Sequence, residues 1–134
     1  MNRVTHFEVQ ADDVERAKKF YQEAFGWKIE KWMGDKKDDP MEYWGLMSGK
    51  EGERGINGGL YQRPKDPKDG EKYYLFDATI QVENLDKAIE DVKKAGGTIT
   101  REKMQLTDVG WFASAKDTEG NRFGLMQANP DMKM

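Results

Sequence analysis

Cysteine is absent from the 134 residues, which excludes disulfides, thiolate metal sites and cysteine nucleophiles. Long apolar runs are missing too. No stretch approaches the roughly 20 residues needed to cross a bilayer, and the opening Met1-Asn2-Arg3-Val4-Thr5-His6 has no apolar core of a secretion signal. The expectation is a cytoplasmic protein without membrane contact. There is also no excess of one charge. Charged residues make up 35% of the chain, yet the net charge is only -3, whereas nucleic-acid binding needs a basic excess on one face. The lysines sit beside acids, as in Gly34-Asp35-Lys36-Lys37-Asp38-Asp39 and Lys65-Asp66-Pro67-Lys68-Asp69, and read as solvated loops. No phosphate-binding glycine loop and no serine-histidine pairing is readable. Histidine occurs once, at His6.

What is present is an internal repeat. With an offset of 71, His6-Phe7-Glu8-Val9-Gln10 falls on Asp77-Ala78-Thr79-Ile80-Gln81, and Val14-Glu15-Arg16-Ala17 falls on Leu85-Asp86-Lys87-Ala88. Later the offset drops to 65, and Gly59-Leu60-Tyr61-Gln62 matches Gly124-Leu125-Met126-Gln127. The six-residue difference is assigned to the polar loop Gly34 to Pro40.

Each copy opens on an alternating strand, Val4 to Val9 and Phe76 to Val82. A helix follows. Asp12 is the candidate cap of the first, with Glu15 three residues on, and Asn84 that of the second. Val14, Ala17, Phe20, Tyr21 and Ala24 recur at helical spacing, as do Leu85, Ala88, Ile89, Val92 and Ala95. Gly26 and Gly96-Gly97 suit helix ends. Three strands come after each helix: Trp27 to Trp32, Glu42 to Ser48 and Ile56 to Gln62, then Thr98 to Met104, Trp111 to Lys116 and Asn121 to Gln127. Asp117-Thr118-Glu119-Gly120 reads as a hairpin turn. The expected class is α+β, one domain over 1–134, with module one about 3–62, a linker 63–74 and module two about 75–128. Two sheets side by side would make a curved, partly open eight-stranded barrel-like surface, with the helices outside and a cavity on the concave side.

Two β-α-β-β-β units in tandem are what the vicinal oxygen chelate superfamily uses (glyoxalase I, bleomycin resistance proteins, extradiol dioxygenases). Val4 to Trp27, with Phe20-Tyr21 and Phe25-Gly26-Trp27, resembles the opening module of those proteins. Gly110-Trp111-Phe112 and Asp117 to Leu125 resemble their closing hairpin. The similarity covers about Arg3 to Gln127. It implies a divalent ion held by one side chain on the first and one on the last strand of each module, usually His, Glu or Gln. Carried onto this chain, those positions are His6, Gly59, Asp77 and Gly124. Glycine has no side-chain donor, and a catalytic zinc normally keeps three protein ligands. Glu8, two residues after His6 and on the same face, would give an improvised His6, Glu8, Asp77 set suited to iron or manganese. Otherwise His6 is a hydrogen-bonded histidine in a polar cavity.

Strand alternation puts His6, Glu8, Gln10, Asp77, Thr79, Gln81, Asn57, Gly59, Tyr61, Arg122, Gly124 and Met126 on the inner face. Tyr43 or Trp44, and Trp111 or Phe112, would line its mouth, the register deciding which. Gly59 and Gly124 either enlarge the cavity or mark a bend. The leading reading is a protein that binds a small organic molecule without the usual metal and without another cofactor. The alternatives are a metal-dependent lyase, isomerase or dioxygenase using His6, Glu8 and Asp77, a metal-free site with His6 as general base, and a non-catalytic interaction module. The resemblance also implies a homodimer.

Overall fold

The computed structural model describes residues 1–39, 41–65, 76–106 and 109–130. Among them, eight strands and two helices follow in the order expected: β1 (Arg3–Ala11), α1 (Val14–Phe25), β2 (Lys28–Met33), β3 (Tyr43–Met47), β4 (Gly58–Gln62), β5 (Phe76–Gln81), α2 (Leu85–Lys94), β6 (Thr98–Leu106), β7 (Gly110–Lys116) and β8 (Arg122–Ala128). This is an α+β chain of two β-α-β-β-β modules. It divides into two compact units, His6–Phe76 and Asp77–Met134, the latter joined by Met1–Thr5.

Each unit repeats one topology. In the first, the strands run β2-β3-β4-β1, with β1 and β4 parallel and the other pairs antiparallel. In the second, the order is β5-β8-β7-β6, again with one parallel pair, β5 and β8. A parallel pair needs a crossover, and the helix supplies it. Val9, Ala11, Val14, Trp44, Leu46 and Leu60 form the buried core beneath α1. Val82, Leu85, Ile89, Ala113 and Leu125 form the one beneath α2. Only alternate strand residues join these cores, because side chains of a strand point to opposite faces.

The helix starts show why the repeat keeps its glutamines. Asp13, not Asp12, caps α1: its carboxylate accepts from the Arg16 amide at 3.0 Å. Asp12 is engaged instead by Arg63, whose guanidinium lies 2.7 Å away, and its carbonyl accepts from the Gln62 amide at 2.9 Å. In module two Asn84 caps α2 as expected, and the Gln127 amide oxygen accepts from the Leu85 N–H at 2.8 Å. Equivalent glutamines at the ends of β4 and β8 therefore tie each last strand to the start of its helix. Arg63, expected to open a loose linker, is buried and fixes this junction. Residues 66–74 of that linker lie outside the described residues.

The length difference between modules is split. In the sheets Gly45 pairs with Gly59, 14 positions on, and Ser114 pairs with Gly124, 10 positions on. Four of the six extra residues of module one thus sit between β3 and β4, not in the Gly34 to Pro40 loop. The Asp117 turn is as expected: Gly120 has φ +85°, and the Asp117 carboxylate accepts from the Glu119 and Asn121 amides, both at 2.9 Å. Those bonds, led by the one from the Asn121 side chain, hold its carboxyl below the usual range.

Candidate functional site

The face of the first sheet that turns away from α1 is built by register. Glu8 on β1 lies beside Gly59 on β4, which lies beside Gly45 on β3. His6 and Gln10 flank Glu8 on the same face, and Tyr43 is two residues from Gly45. The missing side chains do not leave open space. A β-carbon added at Gly59 would overlap the Tyr43 hydroxyl and ring, and one at Gly45 would overlap the Trp32 indole. Each ring lies over a glycine of the neighbouring strand, an arrangement in which an aromatic residue covers backbone that glycine leaves bare. The expectation that Gly59 enlarges a cavity is corrected here. The glycine is required for Tyr43 to reach across the sheet.

What Tyr43 reaches is His6 and Glu8. Its hydroxyl is 2.7 Å from His6 Nε2 and 3.0 Å from both oxygens of Glu8. His6 Nε2 also approaches Glu8 Oε1 at 3.2 Å. A carboxylate can only accept, so the phenol donates to Glu8. The phenol oxygen then accepts from His6 Nε2–H, which leaves the lone pair of a neutral imidazole on Nδ1. Burial, then the nearby charge of Glu8, pushes the Tyr43 phenol well above its ordinary range. Beside this trio, the Gln10 amide donates to the Tyr61 hydroxyl at 2.7 Å, and Tyr61 stacks on Tyr43 with centroids 6.2 Å apart. Gln10 Oε1 is buried without a hydrogen-bond partner among the described residues.

The second unit carries the same plan with different chemistry. Asp77, which is buried, and Arg122 are neighbours across β5 and β8 and form an ion pair at 3.3 Å. The next row is Thr79, Gly124 and Ser114. The Phe112 ring lies over Gly124: an added β-carbon would sit 2.9 Å from it. So Phe112 stands to Gly124 as Tyr43 stands to Gly59, but without a hydroxyl. The Thr79 and Ser114 hydroxyls are buried with no hydrogen-bond partner among the described residues.

Two expected lining residues belong elsewhere. Trp44 packs in the core beneath α1 and Trp111 against the core beneath α2. In each strand the alternation decides it: Trp44 shares a face with Leu46, and Trp111 with Ala113. Tyr43 and Phe112 are therefore the members that turn away from the helices. Asn57 precedes β4, and its side-chain oxygen accepts from the Ser48 amide at 3.0 Å. Met126 is buried between Gln81 and Phe112 in register. The role of Tyr43 as the link between His6 and Glu8 was not readable from sequence. The usable signal was Leu46, a certain core residue that fixes the parity of β3. Among the described residues, no group of three or more histidine, aspartate or glutamate side chains is placed to hold a metal ion. No helix among them is long and apolar enough to cross a membrane.

Comparison with known proteins places the fold. The chain belongs to the Glyoxalase/Bleomycin resistance protein/Dioxygenase superfamily, whose family model matches residues 3–125. A glyoxylase-like domain-containing protein of Didymella fabae is 32% identical over 125 residues, covering 92% of this chain and 91% of that protein. Among solved structures, methylmalonyl-CoA epimerase from Mycobacterium tuberculosis superposes with a TM-score of 0.65 at 17% identity, covering 95% of this chain and 88% of that one. The epimerase of Streptomyces coelicolor in complex with 2-nitronate-propionyl-CoA gives 0.69 at 14% identity, covering 100% and 99%. At such identities the likeness is one of fold.

Proposed function

We propose that this chain binds a small organic molecule against the polar face of module one, using His6, Glu8, Tyr43, Gln10 and Tyr61, and does so without the divalent ion implied by its family. The observation that carries the reading is the Tyr43 hydroxyl, placed between the His6 imidazole and the Glu8 carboxylate. At the family's ligand positions, Gly59 and Gly124 bring no donor atom, and rings fill the space where one would project. The residues present do not fit the ion. In module two, Asp77, Thr79, Arg122, Gly124 and Met126 are the further candidates. The methylmalonyl-CoA epimerases of the same fold act on a CoA thioester, which makes acyl thioesters one ligand class to screen. A cytoplasmic setting and a homodimer complete the proposal.

The test is a melting-temperature screen of EDTA-treated protein against small organic acids, acyl thioesters and planar aromatic compounds. The proposal expects ligands that raise the melting temperature of the chain and fail to raise that of His6→Ala or Tyr43→Phe. Ligands that act only after a divalent ion is added would contradict it.

A second reading rests on the same atoms. The chain His6–Tyr43–Glu8 is a hydrogen-bonded path between a base and a carboxylate, which suits metal-free proton transfer. A catalysed hydrogen–deuterium exchange at an acidic carbon of a bound ligand, abolished in His6→Ala, would establish it; exchange unaffected by that change would end it.

A further inference from the structure

Outside this site the largest unexplained feature is a cluster of six aromatic rings on the first unit. Tyr21 stands at its centre. Trp27 stacks on it with centroids 5.1 Å apart and planes 6° from parallel, and Phe20, Phe25 and Phe76 lie at 5.1, 6.4 and 6.4 Å. Phe7 closes the ring through Trp27 and Phe76, at 5.9 and 5.8 Å. Three of these side chains are largely in solvent: Phe20, Phe25 and Phe76 are 57%, 62% and 57% exposed. Adjacent exposed rings of this kind mark a surface that another molecule covers.

The repeat provides an internal control. At the offset of 71, Phe7, Phe20 and Tyr21 correspond to Ala78, Asp91 and Val92, and Phe25 to Gly96. Module two packs its helix on its sheet through Val92 and Ile80, with none of these rings, and its Asp91 pairs in solvent with Lys87 at 3.3 Å. The fold of one module therefore does not require the aromatic cluster.

We propose that this aromatic face is where a second copy of the chain docks, which rests on the homodimer reading above and gives it a location. Two arguments select a second copy. First, the charges around the rings are neutralised within α1 and its cap: Lys18 lies 3.6 Å from Glu15, Lys19 is 4.0 Å from Glu23, and Arg16 is 3.9 Å from Asp13. A two-fold interface sets a patch against itself, so a patch with a field of one sign would repel its copy. This one would not. A membrane surface would instead call for a basic rim, and the chain is net negative at -3. Second, the area suffices. Three half-bared phenylalanines offer about 350 Å², or about 700 Å² across a two-fold. If that is the roughly 65% apolar share of a homodimer interface, the whole comes to about 1,100 Å², above the roughly 1,000 Å² that a specific interface needs.

Sedimentation velocity over about 1 to 500 µM, a span that brackets dissociation constants of ordinary dimers, tests the proposal. The full chain should sediment as a dimer at the upper end. Phe20→Asp, which installs the residue that module two has at this position, should weaken association by about thirtyfold or more, as a central aromatic anchor does. It should leave the melting temperature of the monomer unchanged. Phe25→Lys is the second variant should the first fail to fold. A dimer that both variants leave intact would overturn the assignment of this face while the homodimer stands. A chain that is monomeric throughout would overturn both.

Discussion

Tyr43 is the residue on which the site turns, and its chemistry gives two expectations. Its hydroxyl donates to a carboxylate, and a hydrogen bond to a charged group contributes about 1.5–3 kcal/mol. Tyr43→Phe should lower stability by that order in urea unfolding at pH 7, with the slope of the transition unchanged. The phenol titrates at a higher pH in the folded than in the unfolded chain, because burial and Glu8 both disfavour the phenolate. Its contribution is therefore full below about pH 10, the ordinary tyrosine value, and is lost as pH rises through the folded value. In an absorbance titration of tyrosinate, one phenol that ionises well above the ordinary range should be missing from Tyr43→Phe. Thr79 gives the opposite expectation. Its buried hydroxyl has no partner among the described residues, and an unmade hydrogen bond of this kind costs about 1–3 kcal/mol. Thr79→Val, nearly the same shape, should leave the melting temperature unchanged or raise it; a clear fall would mean the hydroxyl has a partner in solution.

Between strands, the recurring device is a ring laid over a glycine one strand away: Trp32 over Gly45, Tyr43 over Gly59 and Phe112 over Gly124. Gly59→Ala should therefore be costly, on the scale of 1–3 kcal/mol for an overpacked core, since its methyl and the Tyr43 ring cannot share the space. In a Tyr43→Ala background the same change should cost much less, and a double-mutant cycle would read the coupling directly. Costs that simply add would show that the two positions do not compete. These pairings were the part of the site that sequence concealed. Alternation sorts His6, Glu8 and Gln10 to one face from a single strand, because it needs only the period of two. Choosing Tyr43 over Trp44 needs the parity of β3 relative to a core residue. Knowing that Tyr43 crosses to Glu8 needs the register of three strands, and register is set by loop lengths that the repeat left ambiguous. The four extra residues between β3 and β4 are where that ambiguity lay.

For the whole molecule, much was legible because the chain states its plan twice. His6-Phe7-Glu8-Val9-Gln10 over Asp77-Ala78-Thr79-Ile80-Gln81 carried both the strand type and the module order. The repeat also exposes what each half does differently. One copy carries His6, Glu8 and a phenol on its polar face; the other carries an Asp77–Arg122 pair and two hydroxyls. Both helix-side cores are apolar, so the polar faces are one place where the two modules differ in chemistry. A resemblance in fold to metal-dependent relatives leaves this open, because one fold hosts many chemistries.

Cobalt titration of chelator-treated chain, followed by visible absorption, tests this most directly. With the Tyr43 phenol bonded to both His6 and Glu8, no ligand-field band and no saturable binding at one ion per chain are expected. A band that saturates at one cobalt per chain and disappears in His6→Ala would contradict it.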